Sequence, residues 1–129
     1  MEVKTVYQHF ENNPCGKNTG DCAIRAISVA LNTDWYTAFD ILAEEAYQMC
    51  DMPSADSVWG SVLRHNGFKR FVLPNSCPDC YCAKDFCKDH QKGTYVIAFG
   101  GHVATVRDGI LLDSWDSSAE IPLYYYYHE

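Results

Sequence analysis

The stretch "HVATVRDGILLDSW", residues 102–115, restricts the fold more than any other. Two apolar-alternating runs flank one Asp-Gly pair, and a two-residue hairpin loop needs positive φ at both positions, which these residues tolerate. With Asp108 and Gly109 as the loop, Arg107 faces Ile110, Val106 faces Leu111 and Ala104 faces Asp113. Side chains alternate between faces, so His102, Ala104 and Val106 share one with Leu111, Asp113 and Trp115. His102 is then diagonal to Asp113, about 7–8 Å between Cα atoms, a span that an imidazole–carboxylate hydrogen bond can bridge. Trp115 falls directly across from His102, where its indole shields the contact from water.

A second constraint is "NTGDCAIRAISVAL", residues 18–31. Cys22 follows Thr19, Gly20 and Asp21, and Ala23, Ile24, Ile27, Ala30 and Leu31 recur behind it at helical spacing. The thiol therefore opens a buried helix that stops near Asn32. Unpaired N–H groups and the positive dipole end lower a thiol's pKa there, and a nearby imidazolium lowers it further. The neighbouring Asp21 opposes this unless its side chain points away or caps the helix.

Around these stretches, Thr33 or Asp34 can cap a second helix with Trp35, Phe39, Leu42, Ala43 and Ala46 inward. A third begins near Asp56, carries Val58, Trp59, Val62 and Leu63, and ends at Gly67. "RFVLP" reads as a short strand, and the Cys-rich segment of about 75–92 as a loop with two helical turns around Phe86. "TYVIAFG", "HVATVR", "ILLDSW" and "IPLYYYYH" are strand-like, the last with two of its tyrosines inward and two on the surface. The opening "VKTVYQHF" is a strand or an extended arm, and Glu44 and Glu45 belong to a solvated helix face. Helices over about 21–67 ahead of an antiparallel sheet over about 93–128 make residues 1–129 a single α+β domain.

A net charge of -7 and a pI near 5.1 argue against a nucleic-acid partner, since Lys69 and Arg70 form the densest basic spot. No apolar run reaches the length of a membrane span, and "MEVKTVYQHFENN" has no signal-peptide core, so a cytoplasmic location is expected. Seven cysteines, an odd number, in a reducing compartment argue against a disulfide scaffold. Cys77 and Cys80 have zinc-knuckle spacing, and Cys87 with His90 could complete a four-ligand structural site. Against that, Cys87 and His90 share a short helix in which Phe86 needs burial, and Pro78-Asp79 makes an ordinary turn. The reading is no metal and no cofactor.

A helix-leading thiol, a histidine and a carboxylate to orient it are the parts that acyl transfer needs. Each residue alone has an ordinary structural explanation; the three in one arrangement do not arise easily by chance. Through Cys22, "GGHVATV" at 100–106 and "DSW" at 113–115, the chain resembles the papain-like cysteine peptidase superfamily, nearest its small bacterial and phage-type members and the bacteriocin-processing peptidases. The resemblance implies a central nucleophile helix packed on an antiparallel sheet. It makes Cys22 the nucleophile, His102 the base, Asp113 the orienting group in place of the family's usual Asn, and Trp115 the shield. It also implies a Gln six residues before the nucleophile as an oxyanion donor. Gly16 stands there instead, which leaves Asn18 as the tentative donor, with Asn13 and Gln8 as alternatives. The expected activity is hydrolysis of a peptide or amide bond in a small or extended substrate. Two alternatives use the same fold: a non-catalytic zinc-stabilised interaction module, and an acyltransferase or isopeptidase with the same triad.

Overall fold

The structure, a computed structural model, describes residues 5–74 and 81–128. These residues form an α+β fold with four helices and one six-stranded mixed sheet. In chain order the elements are β1 (Tyr7–His9), α1 (Cys22–Ala30), α2 (Trp35–Met49), α3 (Asp56–His65), β2 (Lys69–Val72), α4 (Ala83–Asp89), β3 (Thr94–Phe99), β4 (His102–Arg107), β5 (Ile110–Asp113) and β6 (Tyr124–Tyr127). The sheet order is β1-β5-β4-β3-β6-β2.

The hairpin register is the one expected: Val106 pairs with Leu111 and Arg107 with Ile110. Asp108 and Gly109 carry φ of 51° and 79°, the left-handed values of a type I′ turn. Strand pairing ends earlier than the apolar pattern, however. β5 stops at Asp113, so Trp115 lies beyond the ladder.

The sheet is not purely antiparallel, nor confined to the C-terminal part. β1 pairs in parallel with β5, bringing His9 beside Asp113, and β2 adds to β6 as an exposed edge strand. Both faces are covered. α1, α2 and α3 pack on one through Ile27, Leu42, Val58, Trp59 and Leu63 against Val96, Val103 and Tyr126. α4 packs on the other, where Phe86 and Cys87 meet Ile97, Ala104, Val106 and Leu111. The tyrosines of β6 therefore serve two cores: Tyr124 and Tyr126 lie with Trp59, whereas Tyr125 and Tyr127 pack with the α4 cluster and not on an open surface.

Helix α1 runs alongside β4 and is fastened along its length. The Val103 amide reaches the Cys22 sulfur, Thr105 Oγ1 donates to the Ala26 carbonyl at 3.2 Å, and Arg107 donates to the Val29 carbonyl and to Asn32 Oδ1. Arg107 thus joins the Asn32 amide as a second donor to a carbonyl in the last turn of α1. In α2, Asp34 is the cap, accepting from the Thr37 amide at 2.8 Å. Its buried stripe is Ala38, Leu42 and Ala46; the last two were expected, but in the first turn Ala38 takes the inward place, and Phe39, 41% exposed, stacks on Trp35 at the rim. Glu45 is not simply solvated, since it accepts from Ser61 and engages His65 across α3.

Gly109 carries the hairpin. A Cβ there would meet Gln91 Nε2 at 2.8 Å as well as the left-handed backbone, whereas Gly100 has nothing within 4 Å. Gly109→Ala is expected to destabilise by about 1–2 kcal/mol, and Gly100→Ala by no more than about 0.5 kcal/mol, as read from urea denaturation midpoints.

Candidate active site

Three element ends meet at one place: the first residue of α1, the first of β4 and the last of β5. That position matters, because Ala104, Val106 and Leu111, farther along the face of His102 and Asp113, are covered by α4, on the side opposite α1. Only at the strand ends do the imidazole and the start of α1 come together.

His102 Nε2 lies 2.7 Å from Asp113 Oδ2. A carboxylate accepts, so Nε2 carries the proton, which leaves Nδ1 for the side-chain hydrogen bond that His102 shares with Cys22. The expected diagonal pair is therefore a direct contact. Trp115 stands 5.0 Å from the imidazole, centroid to centroid, and is 45% exposed, so its outer face meets solvent. Phe99, which pairs with His102 across the β3–β4 turn, lies nearly parallel to the ring at 5.9 Å.

Asp113 is 1% exposed. Its Oδ2 also accepts from Ser117 Oγ at 2.6 Å, and its Oδ1 accepts from the Ser114 amide at 2.8 Å and faces Arg25 Nη2 at 3.4 Å. Burial pushes its carboxyl upward, but the hydrogen bonds from His102, Ser117 and Ser114 together with the imidazole charge hold it below the usual carboxylate range. Burial likewise works against a charged imidazole at His102. The hydrogen bonds to Asp113 and Cys22 and the charges of both outweigh it, and push the ring up to about 9. At Cys22, burial pushes the thiol up; the His102 hydrogen bond, the Val103 amide and the charges of His102 and Arg25 prevail and bring it below its ordinary value.

Asp21 sits at the N-cap position of α1, yet its carboxylate does not cap. It turns to Arg25 Nη1 and to Trp35 Nε1, the latter at 2.9 Å, and so is neutralised by partners other than the thiol. Arg25, Ser117 and Phe99 are site residues that the sequence pattern did not single out. Arg25 was legible as a charge on an otherwise apolar helix, since such a residue must find a buried partner.

Asn18 stands exposed four residues ahead of Cys22, outside this hydrogen-bonded set. Asn13 accepts from the Cys15 amide at 2.9 Å, and Gln8 is an exposed residue of β1 opposite Leu112. Beside the start of α1, Asn13, Lys17, Gly20, Trp35, Tyr36 and Phe39 line part of an open cavity of about 410 Å³, within the usual range for ligand pockets. A similar volume between α2 and α3, edged by Asp40, Glu44 and His65, is remote in sequence from the site elements.

Among the described residues, no group of three or more His, Cys, Asp or Glu side chains could hold a metal ion. Cys77 and Cys80 lie outside them. Burial pushes the Cys87 thiol up to about 11, and His90 Nδ1 sits 2.8 Å from the Phe86 carbonyl, with its ring stacked on Phe86. No helix among the described residues is long and apolar enough to cross a membrane.

No family model, curated protein or solved structure matches the chain.

The pKa directions set a pH dependence. The raised His102 value contributes stability in full below the ordinary imidazole value of about 6.5, and that contribution is lost as pH rises through about 9. Asp113, held low, contributes above the ordinary carboxylate range and loses its contribution under acid. The stability gap between wild type and His102→Gln should therefore be widest near pH 6 and narrow towards pH 10, as checked by urea denaturation at both.

Proposed function

We propose that this chain is a papain-like cysteine hydrolase acting on a peptide or amide bond through Cys22, His102 and Asp113. The observation that carries the reading is an imidazole set between a thiol at a helix start and a buried carboxylate, 2.7 Å from the latter. A lowered thiol beside a raised imidazole favours the thiolate–imidazolium pair near neutral pH.

In the first step the Cys22 thiolate adds to the substrate carbonyl, whose π electrons move onto oxygen. When the tetrahedral intermediate collapses, the C–N bond breaks, His102 gives its Nδ1 proton to the leaving amine, and a thioester remains on Cys22. Neutral His102 then takes a proton from water. The hydroxide adds to the thioester and the C–S bond breaks, which releases the acid and restores the thiolate. Asp113 keeps the ring oriented and stabilises its charged form throughout. The Cys22 backbone N–H at the start of α1 is one oxyanion donor, and a side-chain amide from the preceding loop, Asn18 first, is the second. The cavity walled by Trp35, Tyr36 and Phe39 reaches Asp21 and Ile24, which flank Cys22 in the chain without Cys22 itself lining it, and gives room for a substrate side chain.

Iodoacetamide near pH 7 should alkylate Cys22 well ahead of the exposed Cys15 and Cys50, read by peptide mass spectrometry. His102→Ala should slow that reaction roughly tenfold or more, since each unit of thiol pKa removes about tenfold of thiolate. Equal labelling of all three thiols, unaffected by His102→Ala, would exclude this function.

A further inference from the structure

We propose that Arg25 is a positioning residue of this site, tying the nucleophile's helix to the orienting carboxylate and setting the charge balance of the Cys22–His102 pair. The inference rests on the reading of Cys22 as the nucleophile.

Arg25 is 7% exposed and follows Cys22 by about one turn of α1. An arginine this deep persists only when paired. One guanidinium nitrogen engages Asp21, one turn back on the same helix, and that i,i+4 contact alone would serve as an ion pair. The other nitrogen crosses to β5 and faces Asp113 Oδ1 at 3.4 Å. The connections therefore close into a loop: Cys22 to His102, His102 to Asp113, Asp113 to Arg25, and back along α1 to Cys22. Two elements of the sheet and one helix are locked by four side chains. Trp35 holds the remaining oxygen of Asp21, and Ser28 Oγ donates to the Arg25 carbonyl at 2.6 Å, so the helix segment carrying the arginine is itself braced.

The charges alternate along the path. Asp21 is negative, Arg25 positive, Asp113 negative, His102 positive when protonated and Cys22 negative when ionised. The charged and titratable groups around the sulfur are thus Asp21 and Arg25 from its own helix, His102 from β4 and Asp113 from β5. Within this set, Arg25 acts on the thiol and favours the thiolate, whereas Asp21 acts through Arg25, whose charge it offsets. A guanidinium is suited to the place because its planar fork serves two carboxylates at once, which a lysine ammonium does less well.

The two charges make opposite predictions. In the full chain, the pH profile of Cys22 alkylation by iodoacetamide has an acid limb set by thiolate formation. Arg25→Gln should move that limb up by about half to one pH unit, the size expected of a nearby, partly screened charge. Arg25→Lys should move it up by less, and Asp21→Asn should move it down. A purely structural arginine would lower the reactive fraction in both series without opposite shifts. Should Arg25→Gln fail to fold, Arg25→Lys and Asp21→Asn decide the matter. Limbs left in place, or both moved in the same direction, overturn the inference. The failures are separable: a wild-type Cys22 no faster than Cys15 and Cys50 removes the nucleophile and this inference together. A fast wild-type Cys22 with unmoved variants removes Arg25 alone.

Discussion

A carboxylate withdrawn from water between two strands and a helix governs this structure. Taking an ion the size of Asp113 out of water costs several kcal/mol unless its oxygens are satisfied, and the surrounding chain is arranged to satisfy them. Ser114 and Ser117 bring the turn after β5 back over the carboxylate, so the chain beyond the ladder has a definite path. His102 is drawn to the other edge of the same group, and Arg25 is brought down from α1. The neutral turn, the imidazole and the guanidinium are three answers to a single desolvation problem.

The placement of Cys22 depends on how α1 is fastened to β4. A helix lying on a sheet through apolar contacts alone can slide, because those contacts are non-directional. Here directional contacts at its start, middle and end, through Val103, Thr105 and Arg107, remove that freedom. Register between helix and strand is therefore specified as tightly as register between the strands themselves.

Much of this was legible in the sequence, and the limits have physical reasons. The Asp-Gly loop determined the pairing of β4 and β5 because strand period and turn geometry leave little choice. The start of α1 at Cys22 and the buried stripe of α3 followed from the helical period in the same way. Local pattern carries no information about which face of the sheet α1 covers. The sequence therefore did not reveal that His102 and Cys22 meet only at the strand ends. The partnership of β1 with β5 is a contact between residues about a hundred positions apart, and no period announces it. Trp115 satisfied the alternation yet left the ladder, because Ser114 and Ser117 bend the chain toward the buried carboxylate. Arg25 stood out as a charge on an apolar helix, but its partners lie on its own helix and on β5, and only the folded arrangement joins them.

β2 sits at the far rim of the sheet, with all four residues exposed and β6 and β3 standing between it and β4. Hydrogen bonds to a single neighbour hold it there, and none of the groups around Asp113 comes from it. Exposed peripheral segments are where insertions are best accommodated, and β2 is such a segment. The fold thus separates a part whose length is free to drift from a part in which a fraction of an ångström matters.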